Sequence, residues 1–91
     1  MKESDPKNTL GNKQDKINIL FVEDDENDVL LEVRAITNTG RYKVHSQRVE
    51  SKGEMETALN DHKWDLVICD YNIPNFGPIE ALNVLKNRGM D

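Results

Sequence analysis

Residues 17–25 have the sequence Ile17-Asn18-Ile19-Leu20-Phe21-Val22-Glu23-Asp24-Asp25. The first six residues are mostly β-branched, aliphatic or aromatic, and this composition predicts a buried strand. The apolar run stops abruptly at three acidic residues, and Asp25 or the nearby Asn27 is a candidate cap for a following helix. A continuous apolar strand that leads directly into a helix is typical of parallel α/β proteins.

Three helices are predicted from apolar residues that recur at helical spacing. The first spans about residues 28–38 and ends before Gly40, the second follows Ser51, and the third spans about residues 79–87. Ser51, with Glu54 three residues later, matches the capping-box pattern. The residues expected to face the core are Val29, Leu30, Val33, Ile36, Met55, Ala58, Leu59, Ile79, Leu82 and Leu85.

Two further strands complete the predicted fold. Alternating residue types from Tyr42 predict a strand that reaches about Val49, and the apolar run 65–69 predicts a buried strand that ends at Asp70. The predicted order is therefore β-α-β-α-β-α. This order favours an α/β fold in which helix layers cover a parallel sheet and the crossovers are right-handed.

Composition and charge exclude several classes of protein. The 91 residues allow one small domain at most, which we expect at residues 17–91 after a disordered polar tail at residues 1–16. A net charge of -5 argues against non-specific binding to nucleic acid. No apolar run approaches the roughly 20 residues of a membrane helix, so no membrane association is expected. The single cysteine, Cys69, suits a reducing compartment, and we expect the cytoplasm.

Acidic residues follow two of the predicted strands. Glu23, Asp24 and Asp25 come after the first strand, and Asp70 comes after the third. If these strands are neighbours, the carboxylates converge at one edge of the sheet, and a cation such as Mg²⁺ would relieve their repulsion. For the first three acids, helix capping is an equally good explanation. It does not suit Asp70, because the sequence predicts no helix start directly after it.

Both acidic motifs resemble those of a known family. Val22-Glu23-Asp24 after an apolar strand, followed by Asp65-Leu66-Val67-Ile68-Cys69-Asp70-Tyr71-Asn72-Ile73-Pro74, resembles the receiver domain of two-component response regulators. Gly77-Pro78-Ile79-Glu80-Ala81-Leu82 looks like the start of that family's third helix. The resemblance extends over residues 17–88 and implies a flavodoxin-like fold of the receiver type, reduced to its first three β/α units.

The resemblance also implies a function and a site. Asp70 matches the aspartate that accepts a phosphoryl group, in the presence of Mg²⁺, from a sensor histidine kinase or a phosphotransfer protein. The metal ligands implied are Asp24 directly, Glu23 through water, Asp70, and the backbone carbonyl of Asn72. Asp25 falls outside this set. A domain of this kind is a phosphoprotein of signal transduction and is not itself an enzyme.

Several features depart from the family pattern. The family fold has five strands and five helices, so the Ser/Thr and Lys that contact the phosphoryl group on the later strands have no counterpart here. Pro78 stands where the family usually has Gly, which predicts an altered turn but not a lost site. Residues 66–69 would be an exposed sheet edge. We therefore expect a homodimer through that edge, an exchange of elements between copies, or a fragment of a longer protein.

Two other functions stay open. One is a phosphorylation-independent interaction module, that is, a pseudo-receiver or a non-functional fragment. The other is a fragment of a haloacid-dehalogenase-type phosphatase, although that family has a second Asp where this chain has Asn72.

Other residues that could have a function have structural explanations. His45 and His62 lie far apart in the sequence, without metal-ligand spacing, and we expect both to be exposed. Trp64 is expected to have a role in packing against other residues of the domain. Cys69 is expected to be a buried apolar residue of its strand. Ile73 and Phe76 could equally form an exposed patch for a partner or pack in the core.

Overall fold

A computed structural model describes residues 14–70 and 73–89 of the chain. Strands and helices alternate in the predicted order: β1 (Asp15–Val22), α1 (Glu26–Thr37), β2 (Tyr42–Val49), α2 (Lys52–Asp61), β3 (Leu66–Cys69) and α3 (Pro78–Asn87). Residues 1–13 of the predicted tail and residues 71 and 72 lie outside the described part. Within the described ranges, no helix combines the length and the apolar character needed to cross a membrane.

The sheet has three strands in the order β2-β1-β3, and both pairs are parallel. The central strand, β1, is completely buried from Ile19 to Val22, which explains its continuous apolar sequence. The register aligns Val22 with Val49 of β2 and with Cys69 of β3. The carboxyl ends of all three strands therefore lie at one edge of the sheet.

β1 begins at Asp15, two residues before the predicted start of the strand at Ile17. Asp15 and Lys16 are exposed, but both are aligned with β2 residues in the parallel ladder. Backbone pairing satisfies N–H and C=O groups whatever the side chain, so a strand can extend beyond its apolar run. The hydrophobic pattern marks only the buried part of β1.

Helices cover both faces of the sheet. On one face, Ile19 and Phe21 pack against Val29 of α1, with Val33 and Ile36 at the margin. On the other face, the core joins β1 to α2 and α3; its buried residues are Leu20, Val22, Val49, Met55, Ala58, Leu59, Ile73, Phe76, Ala81 and Val84. The molecule is thus an α/β fold of three layers, with α1 on one side and α2 and α3 on the other.

For three residues, the prediction that they face the core is wrong. On α3, Ile79 and Leu82 are 67% and 47% exposed, and Ala81 and Val84 are buried instead. On α1, Leu30 is exposed. Both helices have apolar residues on more than one side, so helical spacing alone does not select the inward face. Packing against the sheet and α2 selects it, and in α3 the small Ala81 lies on the buried side.

The predicted caps of α1 and α2 are present, and one of their hydrogen bonds has a different donor from the one predicted. The Asp25 carboxylate accepts a hydrogen bond from the N–H of Asn27 at 2.8 Å, and α1 begins directly after it. The Ser51 hydroxyl accepts from the N–H of Glu54 at 3.2 Å, as a capping box requires. The Glu54 carboxylate, however, accepts from the N–H of Glu50, one residue before the expected donor. α3 begins at Pro78, so proline at this position starts the helix.

Candidate metal centre

The residues that follow β1 and β3 are held by the backbone of the sheet. The N–H of Glu23 donates to the carbonyl of Val49 at 2.9 Å, and the N–H of Asp70 donates to the carbonyl of Val22 at 2.8 Å. These bonds continue the parallel ladders by one residue beyond the strands. The backbones of Glu23 and Asp70 are therefore part of the hydrogen-bonded sheet. This fixes the positions from which their side chains extend.

Three carboxylates meet at this edge. One carboxylate oxygen each from Glu23, Asp24 and Asp70 lies within 4.8 Å of the others, a spacing that can hold a metal ion. Asp25, a helix-cap candidate that the resemblance leaves outside the metal ligands, serves as the cap of α1. The carbonyl of Asn72, a ligand implied by the resemblance, lies outside the described residues. We call the three acids Glu23, Asp24 and Asp70 the acidic cluster.

The members of the acidic cluster differ in exposure. Glu23 is buried, with 8% of its surface exposed, whereas Asp24 is exposed and Asp70 is half-buried. The Glu23 carboxylate accepts a hydrogen bond from the N–H of Asp25 at 3.0 Å. An ion bound here would thus meet one carboxylate from the protein interior and two that solvent can reach.

Burial raises the pKa of Glu23, the negative charge of Asp70 adds to that rise, and the hydrogen bond from Asp25 opposes it. A pKa that is higher in the folded state means that folding favours the protonated form. The contribution of Glu23 to stability is therefore present at low pH and is lost as the pH rises through this raised pKa. A cation bound in the acidic cluster would offset this loss of stability, because it stabilises the ionised form of Glu23.

The thiol of Cys69 lies next to the acidic cluster but is not activated by it. Burial raises the pKa of Cys69, and the negative charges of Asp70 and Glu23 raise it further. The thiolate is the reactive form, so these charges keep the thiol protonated and unreactive. Cys69 is half-buried, which is less than the complete burial expected for this strand.

The donor atoms of the acidic cluster suit a hard divalent cation. Carboxylate oxygens are the protein ligands that Mg²⁺ and Ca²⁺ prefer, and Mg²⁺ usually keeps several water molecules beside one or two carboxylates. Asp24 is exposed and Asp70 is half-buried, so solvent reaches this side of the acidic cluster. The residues present therefore suit a hard divalent cation in their chemistry and accessibility.

The loop after the acidic cluster contributes to the core. Ile73 and Phe76 are both buried and pack with the residues beneath α2 and α3. Of the two explanations that the sequence left open, core packing is therefore the right one for these residues. Their burial anchors residues 73–76 to the core.

One group of neighbouring side chains was not predicted from the sequence. His45, His62 and Trp64 form an aromatic cluster, with ring centroids 5.7 to 6.0 Å apart. Both histidines are exposed, as predicted, and Trp64 is half-buried. The residues come from β2, from the end of α2 and from the connection to β3, so no local motif joins them in the sequence.

No protein-family model matches the chain, and no curated protein or solved structure is detectably similar to it. The functional interpretation therefore rests on the geometry of the acidic cluster and on the residues that form it.

Proposed function

We propose that this chain is the phosphoacceptor receiver domain of a two-component phosphorelay, with Asp70 as the acceptor and Mg²⁺ as the cofactor. The observation that supports this most directly is the acidic cluster, whose three carboxylate oxygens lie within 4.8 Å at the carboxyl edge of a parallel sheet. The strand order β2-β1-β3 is compatible with the flavodoxin-like receiver type. In this proposal the described residues form the first three β/α units of that fold.

The proposed roles follow from the position and exposure of each acid. Asp70 is half-buried and follows the last residue of β3, so its carboxylate is held by the sheet yet open to a partner. Glu23 and Asp24, on the neighbouring strand end, would hold Mg²⁺ beside it, and the carbonyl of Asn72 would be a further ligand. Bound Mg²⁺ supplies positive charge that offsets the charges of the carboxylate and the incoming phosphoryl group.

The proposed reaction is an in-line transfer from a phosphohistidine of the partner. An oxygen of Asp70 forms a bond to phosphorus while the phosphorus–nitrogen bond of the donor breaks, and the electron pair stays on the histidine nitrogen. The product is an aspartyl phosphate. Such transfers depend mainly on positioning and electrostatics, which a small rigid acidic site can provide. The chain acts here as the acceptor of the group and not as an enzyme.

The partner in this proposal is a sensor histidine kinase or a phosphotransfer protein, and the reaction takes place in the cytoplasm. A reducing compartment suits a chain with one cysteine, Cys69. Phosphorylation of Asp70 would shift a conformational equilibrium that a further protein detects. The net charge of -5 gives no support for nucleic acid as that partner.

Intact-mass spectrometry after incubation with Mg²⁺ and a small acyl phosphate tests the proposal. We expect one added phosphoryl group on the wild-type chain and none on Asp70→Asn or in the presence of EDTA. Asp25→Asn is the matched control: it removes a neighbouring charge, but asparagine caps a helix as well as aspartate does. This variant should be phosphorylated like the wild type.

Two results would contradict the proposal. An adduct that persists in Asp70→Asn would place the phosphoryl group on another residue. No adduct on wild-type protein that circular dichroism shows to be folded would instead favour the phosphorylation-independent interaction module.

We also propose that the edge of β3 pairs with a second copy of the chain. β3 pairs with β1 on one side, and within residues 14–70 and 73–89 no strand covers its other side. Leu66, at the start of this strand, is 44% exposed. An uncovered apolar edge offers unpaired backbone groups to another chain.

Sedimentation velocity over a range of concentrations tests this pairing. The wild type should shift from monomer to dimer as its concentration rises, and Leu66→Lys should stay monomeric because charged side chains block edge pairing. Leu31→Lys is the matched control, since Leu31 is exposed on α1, away from β3. Equal dimerisation of the wild type and Leu66→Lys would exclude the β3 edge as the interface.

A further inference from the structure

The aromatic cluster of His45, His62 and Trp64 lies apart from the acidic cluster. In the β-ladder His45 is aligned with Asn18, four residues before Val49 at the carboxyl end of β2. Four residues of strand correspond to about 13 Å. The aromatic cluster thus lies towards the amino ends of the strands, and the proposed phosphorylation chemistry does not use it.

Contacts among the three rings hold the two histidines close together. The indole N–H of Trp64 donates to the carbonyl of Ala58 at 2.9 Å, which ties the indole to α2. The His45 ring stacks on this indole, with 6.0 Å between centroids and 10° between planes. The His62 ring meets both edge-on, at 5.7 Å from Trp64 and 5.9 Å from His45.

The separation of the two imidazoles is close to that of rings that share a metal ion. With metal–nitrogen bonds of about 2.0–2.1 Å, two imidazoles on one tetrahedral ion have centroids about 5 Å apart. The observed centroid distance of 5.9 Å is within about 1 Å of this value, and both histidines are exposed. An imidazole nitrogen is a preferred ligand of zinc, nickel and copper ions.

We propose that His45 and His62 together bind one divalent transition-metal ion of the zinc, nickel and copper group. The open groove beside His45 has a volume of about 320 Å³ and is lined by Lys16, Asn18, Lys43, Val44 and His45. This groove opens His45 to solvent, from which water would complete the coordination of a bound ion. The lysine ammonium groups stand on long flexible stems that can extend into solvent, away from a bound cation.

Trp64 provides a direct readout of this site, because it is the single tryptophan of the sequence. Its ring is 6.0 Å or less from both histidine rings, and a paramagnetic ion bound between them should quench its fluorescence. Ni²⁺ is the suitable probe, since it does not oxidise the thiol of Cys69 as Cu²⁺ can. The titration uses the full chain with excess Mg²⁺ present, so that hard oxygen sites are already filled.

We expect saturable quenching with one Ni²⁺ per chain that EDTA reverses. His45→Phe retains a ring against Trp64 but removes the ligand nitrogen, and His62→Ala removes the other ligand at an exposed position. Each variant should raise the half-quenching concentration about tenfold or more, since even outer-shell partners of metal ligands contribute that much. The matched control Lys43→Ala removes a side chain of the same groove and should bind Ni²⁺ at least as tightly as the wild type.

Three outcomes would overturn the proposal: no saturable quenching of the wild type, the same half-quenching concentration in both histidine variants as in the wild type, or a loss in Lys43→Ala equal to theirs. Far-UV circular dichroism of each variant verifies that the fold is retained. If His45→Phe is unfolded, His45→Gln, which also lacks the imidazole, provides the same comparison.

Discussion

Phe21→Ala is expected to remove a large part of the free energy of unfolding of the domain. Phe21 lies on the central strand, is 1% exposed and packs with Ile19 and Val29 beneath α1. Truncating a buried phenylalanine costs about 3–5 kcal/mol, because it removes apolar contacts and leaves a cavity. A domain of this size has a free energy of unfolding of about 4–11 kcal/mol in total. Urea denaturation followed by circular dichroism should show a large fall in the midpoint or no folded baseline.

Leu31→Ala is the matched control for this substitution. Leu31 is 62% exposed on α1, and alanine favours the helix, so the free energy of unfolding should change by about 0.5 kcal/mol or less. The two variants compare the loss of a large apolar side chain inside and outside the core. Similar midpoints for Phe21→Ala and the wild type would mean that the layer between β1 and α1 is not packed as described.

Mg²⁺ is expected to stabilise the folded chain through the acidic cluster. A ligand that binds only the folded state, at ten times its dissociation constant, adds about 1.4 kcal/mol to the free energy of unfolding. For a domain of this size, that corresponds to a rise in Tm of about 6–11 °C. Thermal unfolding with and without Mg²⁺ measures this shift, and EDTA should abolish it.

Variants of single acids separate specific binding from general charge screening. Asp24→Asn removes one carboxylate of the acidic cluster and should abolish most of the Mg²⁺-induced shift in Tm. Asp25→Asn removes an equal charge from the adjacent position but leaves the acidic cluster intact, so its shift should match that of the wild type. An equal shift in all three proteins would show that Mg²⁺ acts only by screening the negative charge of the chain.

The variant Asp70→Asn tests the electrostatic repulsion within the acidic cluster. Burial and the charge of Asp70 hold the pKa of Glu23 above its ordinary value, so ionised Glu23 lowers stability when no cation is present. Without Mg²⁺, Asp70→Asn should therefore be at least as stable as the wild type near neutral pH. With Mg²⁺ the order should reverse, because the variant has lost a ligand.

Much of the fold follows from local patterns in the sequence. The apolar runs of β1 and β3, the alternation in β2 and the helical spacing of apolar residues predicted all six elements in the right order. The caps of α1 and α2, at Asp25 and Ser51, were also recognisable. These signals are local, because strand and helix periods and the capping of free N–H groups involve residues only a few positions apart.

The acidic cluster was only partly predictable. The sequence showed that two strands end in acids, but the closeness of Glu23 and Asp24 to Asp70 depends on β1 and β3 being neighbours. The position of Asp25 in the cap of α1, outside the cluster, agrees with the prediction from the sequence. The aromatic cluster of His45, His62 and Trp64 was not predictable, because its members come from separate elements.

The sequence by itself determined the kinds of element, their order and the acids that follow the strands, since each depends on residues that are close in the chain. Only the tertiary structure decided which faces of α1 and α3 are buried, which strands are neighbours and which side chains from distant segments meet. Apolar residues on several sides of a helix satisfy the same local pattern. The choice among them is made by the free energy of burying one surface against another element of the fold.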